Sequence, residues 1–162
     1  MSEPPIHVLF VCLGNICRSP MAEAVFAHAV AQHGLQSRFV VDSAGTAGYH
    51  AGDQPDRRTV ETCAAHGVPV RHRARQVRTA DFDRFDYVLC MDEDNLDDLL
   101  RAKPRGARAH VALFGSYSAS PGDAIIEDPY YGGVDAFRTN FDQVTRCSAG
   151  LLAALGFGAA AA

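Results

Sequence analysis

Hydrophobic positions along the chain follow two rhythms. Four short runs are continuously apolar: "HVLFV" (7–11), "FVV" opening 39–45, "YVLCM" (87–91) and "AHVALF" (109–114). Runs without polar alternation are expected of strands covered on both faces. Between them the apolar positions recur at helical spacing, over 19–33, 56–66, 93–102 and 135–155. In the first of these Ser19 reads as the N-cap and Pro20 as the first helical residue, with Gly34 as the stop. Gly67 and Pro104 end the second and third. The last carries Phe137, Phe141, Val144, Leu151 and Leu155 on one stripe and stops at Gly156.

Strands alternating with helices predict an α/β fold, a single three-layer domain with a parallel, doubly wound sheet and helices on both faces. The domain is expected to span 1–162, with its core over about 6–155 and a frayed tail at 156–162. In such sheets ligands bind off the carboxyl ends of the strands. Three segments fall on that edge: the loop 12–18, Asp42-Ser43, and "CMDED" (90–94).

Composition narrows the class. The 162 residues suit one domain with a substantial core. A net charge of −4 argues against a nucleic-acid partner. No run is long and apolar enough to span a membrane. Five widely spaced cysteines, an odd number, read as reduced thiols of a cytoplasmic protein, and Cys63, Cys90 and Cys147 as small core residues. No cysteine or histidine spacing suggests a metal.

The loop "CLGNICRS" (12–19) carries the chemistry. A loop that runs from a strand into a helix can turn its N–H groups inward, and the helix dipole adds to them, making an oxyanion cradle. Gly14 and Asn15 tolerate the positive φ such a curl needs. Leu13, Ile16 and Cys17 complete the wall, and Arg18 adds a planar fork for two phosphate oxygens. Cys12 would point into this cradle, where a helix N-terminus and a nearby cation favour the thiolate. Ser19 can hydrogen-bond the sulfur. A thiolate against a bound tetrahedral anion implies a cysteinyl-phosphate and then its hydrolysis, without metal or other cofactor. The proton donor and acceptor is expected on "IIEDPYYGG" (125–133): Asp128, stiffened by Pro129, with Tyr130 and Tyr131 as aromatic walls.

Together "VCLGNICRSPMAEAVF", "DSAGT", "FDYVLCMDEDNL" and "IIEDPYYGG" resemble the low-molecular-weight protein tyrosine phosphatases, in order and spacing, over nearly the whole chain. The resemblance implies a four-stranded parallel sheet in the order 2-1-3-4. It implies Cys12 as nucleophile, Arg18 as phosphate-binding arginine and Asp128 as general acid and base. It places Asn15, Ser19, Ser43, His72 and Asp92 in a network supporting the loop, and Tyr49, Tyr130 and Tyr131 around a phosphotyrosine ring. It makes Cys17 the partner that captures oxidised Cys12 in a reversible disulfide. Substrates would be phosphotyrosine proteins. Phosphate, sulfate and vanadate would occupy the loop, and the chain would act as a monomer. Three other readings stand beside it: an arsenate reductase, a phosphoarginine phosphatase of the same fold, and a phosphotyrosine-binding module without turnover. Only Cys90 lies near where the first would need two further cysteines. Ile16 stands where the second carries threonine. The third would be expected to lack Cys12 or Asp128.

Overall fold

Each apolar run becomes a strand of one parallel sheet. The computed structural model describes residues 3–157. The strands are β1 (Ile6–Cys12), β2 (Phe39–Gly45), β3 (Tyr87–Cys90) and β4 (His110–Leu113), in the order β2-β1-β3-β4. The helices are α1 (Arg18–Gln32), α2 (Arg57–Ala64), α3 (Asp81–Arg84), α4 (Glu93–Ala102) and α5 (Val134–Ala154). Among the described residues no helix is long and apolar enough to cross a membrane.

Strand periodicity explains why the β1 run is unbroken. Val8, Phe10 and Cys12 face one core and Leu9 and Val11 the other, all nearly inaccessible. The first core takes Met21, Val25 and Phe26 of α1, Cys63 of α2, and Phe137, Val144 and Leu151 of α5. There the Phe10 ring meets Phe26 and Phe114 at 5.6 and 4.7 Å between centroids. The second takes Phe82 of α3, Phe85 just after α3, and Leu99 of α4. Cys63, Cys90 and Cys147 are buried thiols, pushed up to about 12 by burial. They are core residues, as expected.

Two expectations are corrected. Ser19 is not the N-cap of the first long helix. That helix begins at Arg18 after Cys17, with no side-chain cap, so Pro20 stands in its first turn rather than at its first position. The Ser19 oxygen is committed elsewhere, to Asn15 and to the Cys12 sulfur. The start of the tail is also not frayed. Phe157 donates its N–H to Leu152 O at 2.7 Å and packs its ring on Phe39 at 5.5 Å. Residues 158–162 lie outside the described part. The single turn α3 was not anticipated, since four residues carry no readable period. It is held by Asp81, 2% exposed, which accepts from Arg78 N and pairs with Arg75.

Sheet order reverses between β1 and β3, whose carboxyl ends therefore border the crevice of a doubly wound fold. Cys12 closes β1 there, and Asp92 follows β3. The opposite flank of α5 is pressed against the 114–117 turn. A Cβ on Gly150 would lie 1.7 Å from Tyr117 O, backbone against backbone. Gly150→Ala is therefore expected to destabilise the protein by about 3 kcal/mol, the upper range for overpacking. A urea unfolding midpoint within error of wild type would contradict that contact.

Candidate active site

The cradle starts where β1 runs out of partners. Cys12 O accepts from Thr46 N and Leu13 O from Ala47 N, so the loop is pinned to the end of β2. A side chain at Gly45 would strike Leu13 O at 2.7 Å. On the far side Ile16 O accepts from Asp56 N, and Cys17 O from the Thr59 hydroxyl. Between these anchors Asn15 adopts φ 58°, and no other non-glycine residue described has a positive φ.

Asn15 is 1% exposed, and its amide is fully used. Its NH2 donates to Ser19 Oγ (2.8 Å) and Ser43 Oγ (3.1 Å). Its Oδ1 accepts from Arg75 N (2.9 Å) and lies 2.8 Å from His72 Nε2. Two donors and two acceptor sites are the group's whole capacity. Because a backbone N–H can only donate, Arg75 settles which atom of the amide is oxygen. His72 Nε2 must then carry a proton. His72 Nδ1 in turn faces Glu23 Oε1 at 3.2 Å, and Ser43 donates to that same oxygen at 2.6 Å. Burial pushes Glu23 up from 4.5 to about 7 and pushes His72 down, so the pair prefers one shared proton to two charges. Among the described residues Glu23, Asp42 and His72 also group as metal ligands would, but Arg75 holds Asp42, Ser43 holds Glu23 and Asn15 holds His72.

Ser19 Oγ already accepts from Asn15, leaving its hydrogen for Cys12 Sγ at 3.1 Å in preference to Ala44 O at 3.4 Å. Cys17 is buried beside Cys12. Burial first, and then the Asp56 carboxylate, push its thiol well above the ordinary range, so Cys17 stays protonated.

Arg18 is 2% exposed, and its guanidinium is oriented from behind. Nη1 donates to Asp92 Oδ2 (2.6 Å) and Ile126 O (2.9 Å), while Nη2 lies 3.9 Å from Asp128 Oδ2. Asp92 also caps α4 through Asn95 N, so one carboxylate ties a helix end to the cradle arginine. The segment carrying Asp128 is held by its carbonyls. Gln143 donates to Ile125 O, Arg18 to Ile126 O and Asn140 to Glu127 O. Arg58 donates to Tyr130 O and Gly132 O.

Cys12, Leu13, Gly14, Ile16, Cys17, Arg18, Tyr49, Asp128, Tyr130 and Tyr131 line one cavity of about 200 Å³, with Asn15, Ser19, Ser43, His72 and Asp92 behind it. Every residue expected of the site is brought to it. Tyr130 and Tyr131 meet edge to face at 5.0 Å, and Tyr131 is 95% exposed. Three residues were missed. His50 lines the cavity beside Tyr49 and closes over Gly14, where a Cβ would meet its ring at 2.9 Å. Glu23 backs His72, and its one trace was a lone charge in the apolar "MAEAVF". Arg58 had no sequence signal toward the acid segment, since the Tyr130 and Gly132 carbonyls it meets lie more than seventy positions away.

A family model described as low molecular weight phosphotyrosine protein phosphatase matches residues 7–158. The chain is 52% identical over 149 residues to the enzyme of that name from Schizosaccharomyces pombe, covering 91% of this chain and 95% of the relative. Among solved structures it is similar to a protein tyrosine phosphatase from Entamoeba histolytica with Hepes in the active site. That match has a TM-score of 0.90 and 37% identity, over 93% of this chain and 96% of the other. A Drosophila arginine phosphatase aligns with a TM-score of 0.87 and 36% identity, over 92% and 97%. The chain belongs to the low molecular weight phosphotyrosine protein phosphatases.

The raised pKa of Glu23 fixes the sign of a pH effect. A group whose folded pKa is raised adds stability that is complete below its unfolded value, here 4.5, and is lost as pH rises through about 7. Glu23→Gln keeps the shape without the ionisation. It is expected to remove up to about 3 kcal/mol of the stability difference between pH 5 and 8, because a tenfold change in proton affinity is worth roughly 1.4 kcal/mol. Urea midpoints at both pH values read this directly, and the same pH dependence in variant and wild type would contradict it.

Proposed function

We propose that this enzyme hydrolyses phosphotyrosine in proteins by two displacements at Cys12. The Cys12 sulfur attacks phosphorus in line as the bond to the phenolic oxygen breaks, and Asp128 gives that oxygen its proton. Asp128 then takes a proton from water, which attacks the cysteinyl-phosphate. The sulfur leaves as a thiolate that Ser19 meets with its hydroxyl hydrogen, and phosphate departs. Throughout, the loop N–H groups and Arg18 hold the phosphoryl oxygens, so the chemistry asks for no metal. Phosphate, sulfate and vanadate should occupy the same cradle. The single observation carrying the reading is that Cys12, Arg18 and Asp128 line one cavity, with Asp128 3.9 Å from the Arg18 guanidinium.

The rings of Tyr49, Tyr130 and Tyr131 wall the cavity and suit a flat aryl group. Ile16 offers the cradle no hydroxyl to orient a water, which supports aryl phosphate over phosphoarginine. Five free buried cysteines support a reducing compartment, and we take it to be the cytoplasm.

Removing the acid tests the mechanism. A poor leaving group needs the proton most. Tyrosine leaves with a pKa near 10, whereas para-nitrophenolate needs far less help. Asp128→Ala is expected to lose at least about tenfold more kcat/KM, which reads the first displacement alone, on phosphotyrosine peptides than on para-nitrophenyl phosphate, and Cys12→Ser to abolish turnover on both while still binding vanadate. Equal losses on the two substrates in Asp128→Ala would assign the acid to another group.

Oxidation is a separate matter. Peroxide converts the Cys12 thiolate to a sulfenic acid. The Cys17 thiol then attacks that sulfur, expels water and forms the disulfide. Mass spectrometry of the oxidised protein should show Cys12 joined to Cys17. A Cys17→Ser variant should recover poorly with dithiothreitol after peroxide, and recovery as complete as wild type would remove the protective role.

A further inference from the structure

We propose that Arg58 is the positioning residue of the acid segment: its guanidinium, held by Asp56, grips the Tyr130 and Gly132 carbonyls and so sets where Asp128 stands over the cradle. An arginine at a helix start beside an aspartate is usually a solvated pair of little consequence. This one is arranged otherwise. Asp56 caps α2 through Arg58 N at 2.8 Å and takes the guanidinium in a fork, Nε to Oδ1 at 3.1 Å and Nη2 to Oδ2 at 3.0 Å. That leaves donor hydrogens on both terminal nitrogens facing the acid segment. Nη2 donates to Tyr130 O at 3.0 Å and Nη1 to Gly132 O at 3.2 Å. The same group sits over the Phe137 ring at 4.4 Å and the Tyr130 ring at 5.5 Å, between α5 and the cleft wall.

The fork is anchored to the cradle itself, because Asp56 N donates to Ile16 O at 2.7 Å. A short strap therefore runs from the phosphate loop through Asp56 and Arg58 to the residues just after Asp128. The acid segment is clamped before Asp128 by Gln143, Arg18 and Asn140. Beyond it, Tyr130 N is tied only to the Asp128 side chain, and Gly132 N to Pro129 O within the same turn. Until the chain enters α5 at Gly133, Arg58 is thus what fastens the downstream half to another element by side-chain hydrogen bonds. Without it the 128–132 turn pivots on its upstream clamp, and the carboxyl drifts from the leaving oxygen while Cys12 and Arg18 stay in place. Angstrom-scale misplacement of a general acid costs rate in proportion to the need for its proton.

The inference rests on Asp128 being the acid, and the test separates the two. In Arg58→Ala, kcat/KM, which reads the first displacement alone, is expected to fall by at least about tenfold on phenyl phosphate and by less than about threefold on para-nitrophenyl phosphate. Inhibition by inorganic phosphate, which reads the cradle, should not change. In the Asp128→Ala background the same substitution should cost nothing further, because the two act as one unit. Arg58→Lys keeps the charge without the fork and is read the same way if Arg58→Ala does not fold. Equal losses on both substrates with weakened phosphate inhibition, or a full additional loss in the double variant, would overturn the positioning role. If Asp128→Ala alone shows no leaving-group dependence, the acid assignment fails instead.

Discussion

The site depends on one buried amide. An oxyanion cradle needs backbone N–H groups turned inward before any anion arrives, and an empty loop has no reason to hold that curl. Asn15 holds it from the opposite side. Its left-handed backbone costs about 1–2 kcal/mol, and each buried polar group left unpaired would cost about 1–3 kcal/mol more. Four bonds from Ser19, Ser43, Arg75 and His72 offset both. The same bonds orient Ser19 toward the Cys12 sulfur. The shape of the loop and the surroundings of the Cys12 sulfur are therefore set by one buried side chain.

Behind Asn15 the network closes on Glu23 and His72, where burial opposes both charges. A single proton satisfies the contact, and the loop's support is coupled to that proton. In front, the cradle is completed by elements distant in sequence. Asp92 turns the guanidinium of Arg18 from the end of β3. The Ile126 carbonyl brings in the segment that carries Asp128. Arg18 is the hinge of this half: one buried cation touches the loop, the α4 cap and the acid segment together, so the three parts share one register.

The two layers of the core make this possible. Alternate residues of β1 enter separate hydrophobic clusters, which clamps the strand from both sides. Cys12 is the last of the alternating set and inherits its direction from Val8 and Phe10. A rigid strand below and a helix dipole above leave the short loop little freedom.

Periodicity and punctuation were enough to place four strands, the long helices and the loop between them, because those signals are local and repeat within a few residues. The cradle residues were legible for the same reason: Cys12 to Ser19 are contiguous, and Asp128 sits in a short stretch of distinctive chemistry. The cap at Ser19 was misread because its oxygen serves two partners that only folding brings near. Phe157 looked like tail because the ring it packs on, Phe39, lies far from it along the chain. His50 and Arg58 carry no pattern, and Glu23 only a lone charge in an apolar stretch. Their roles arise from side-chain distances between elements, and a sequence encodes those only through the packing that the finished tertiary structure decides.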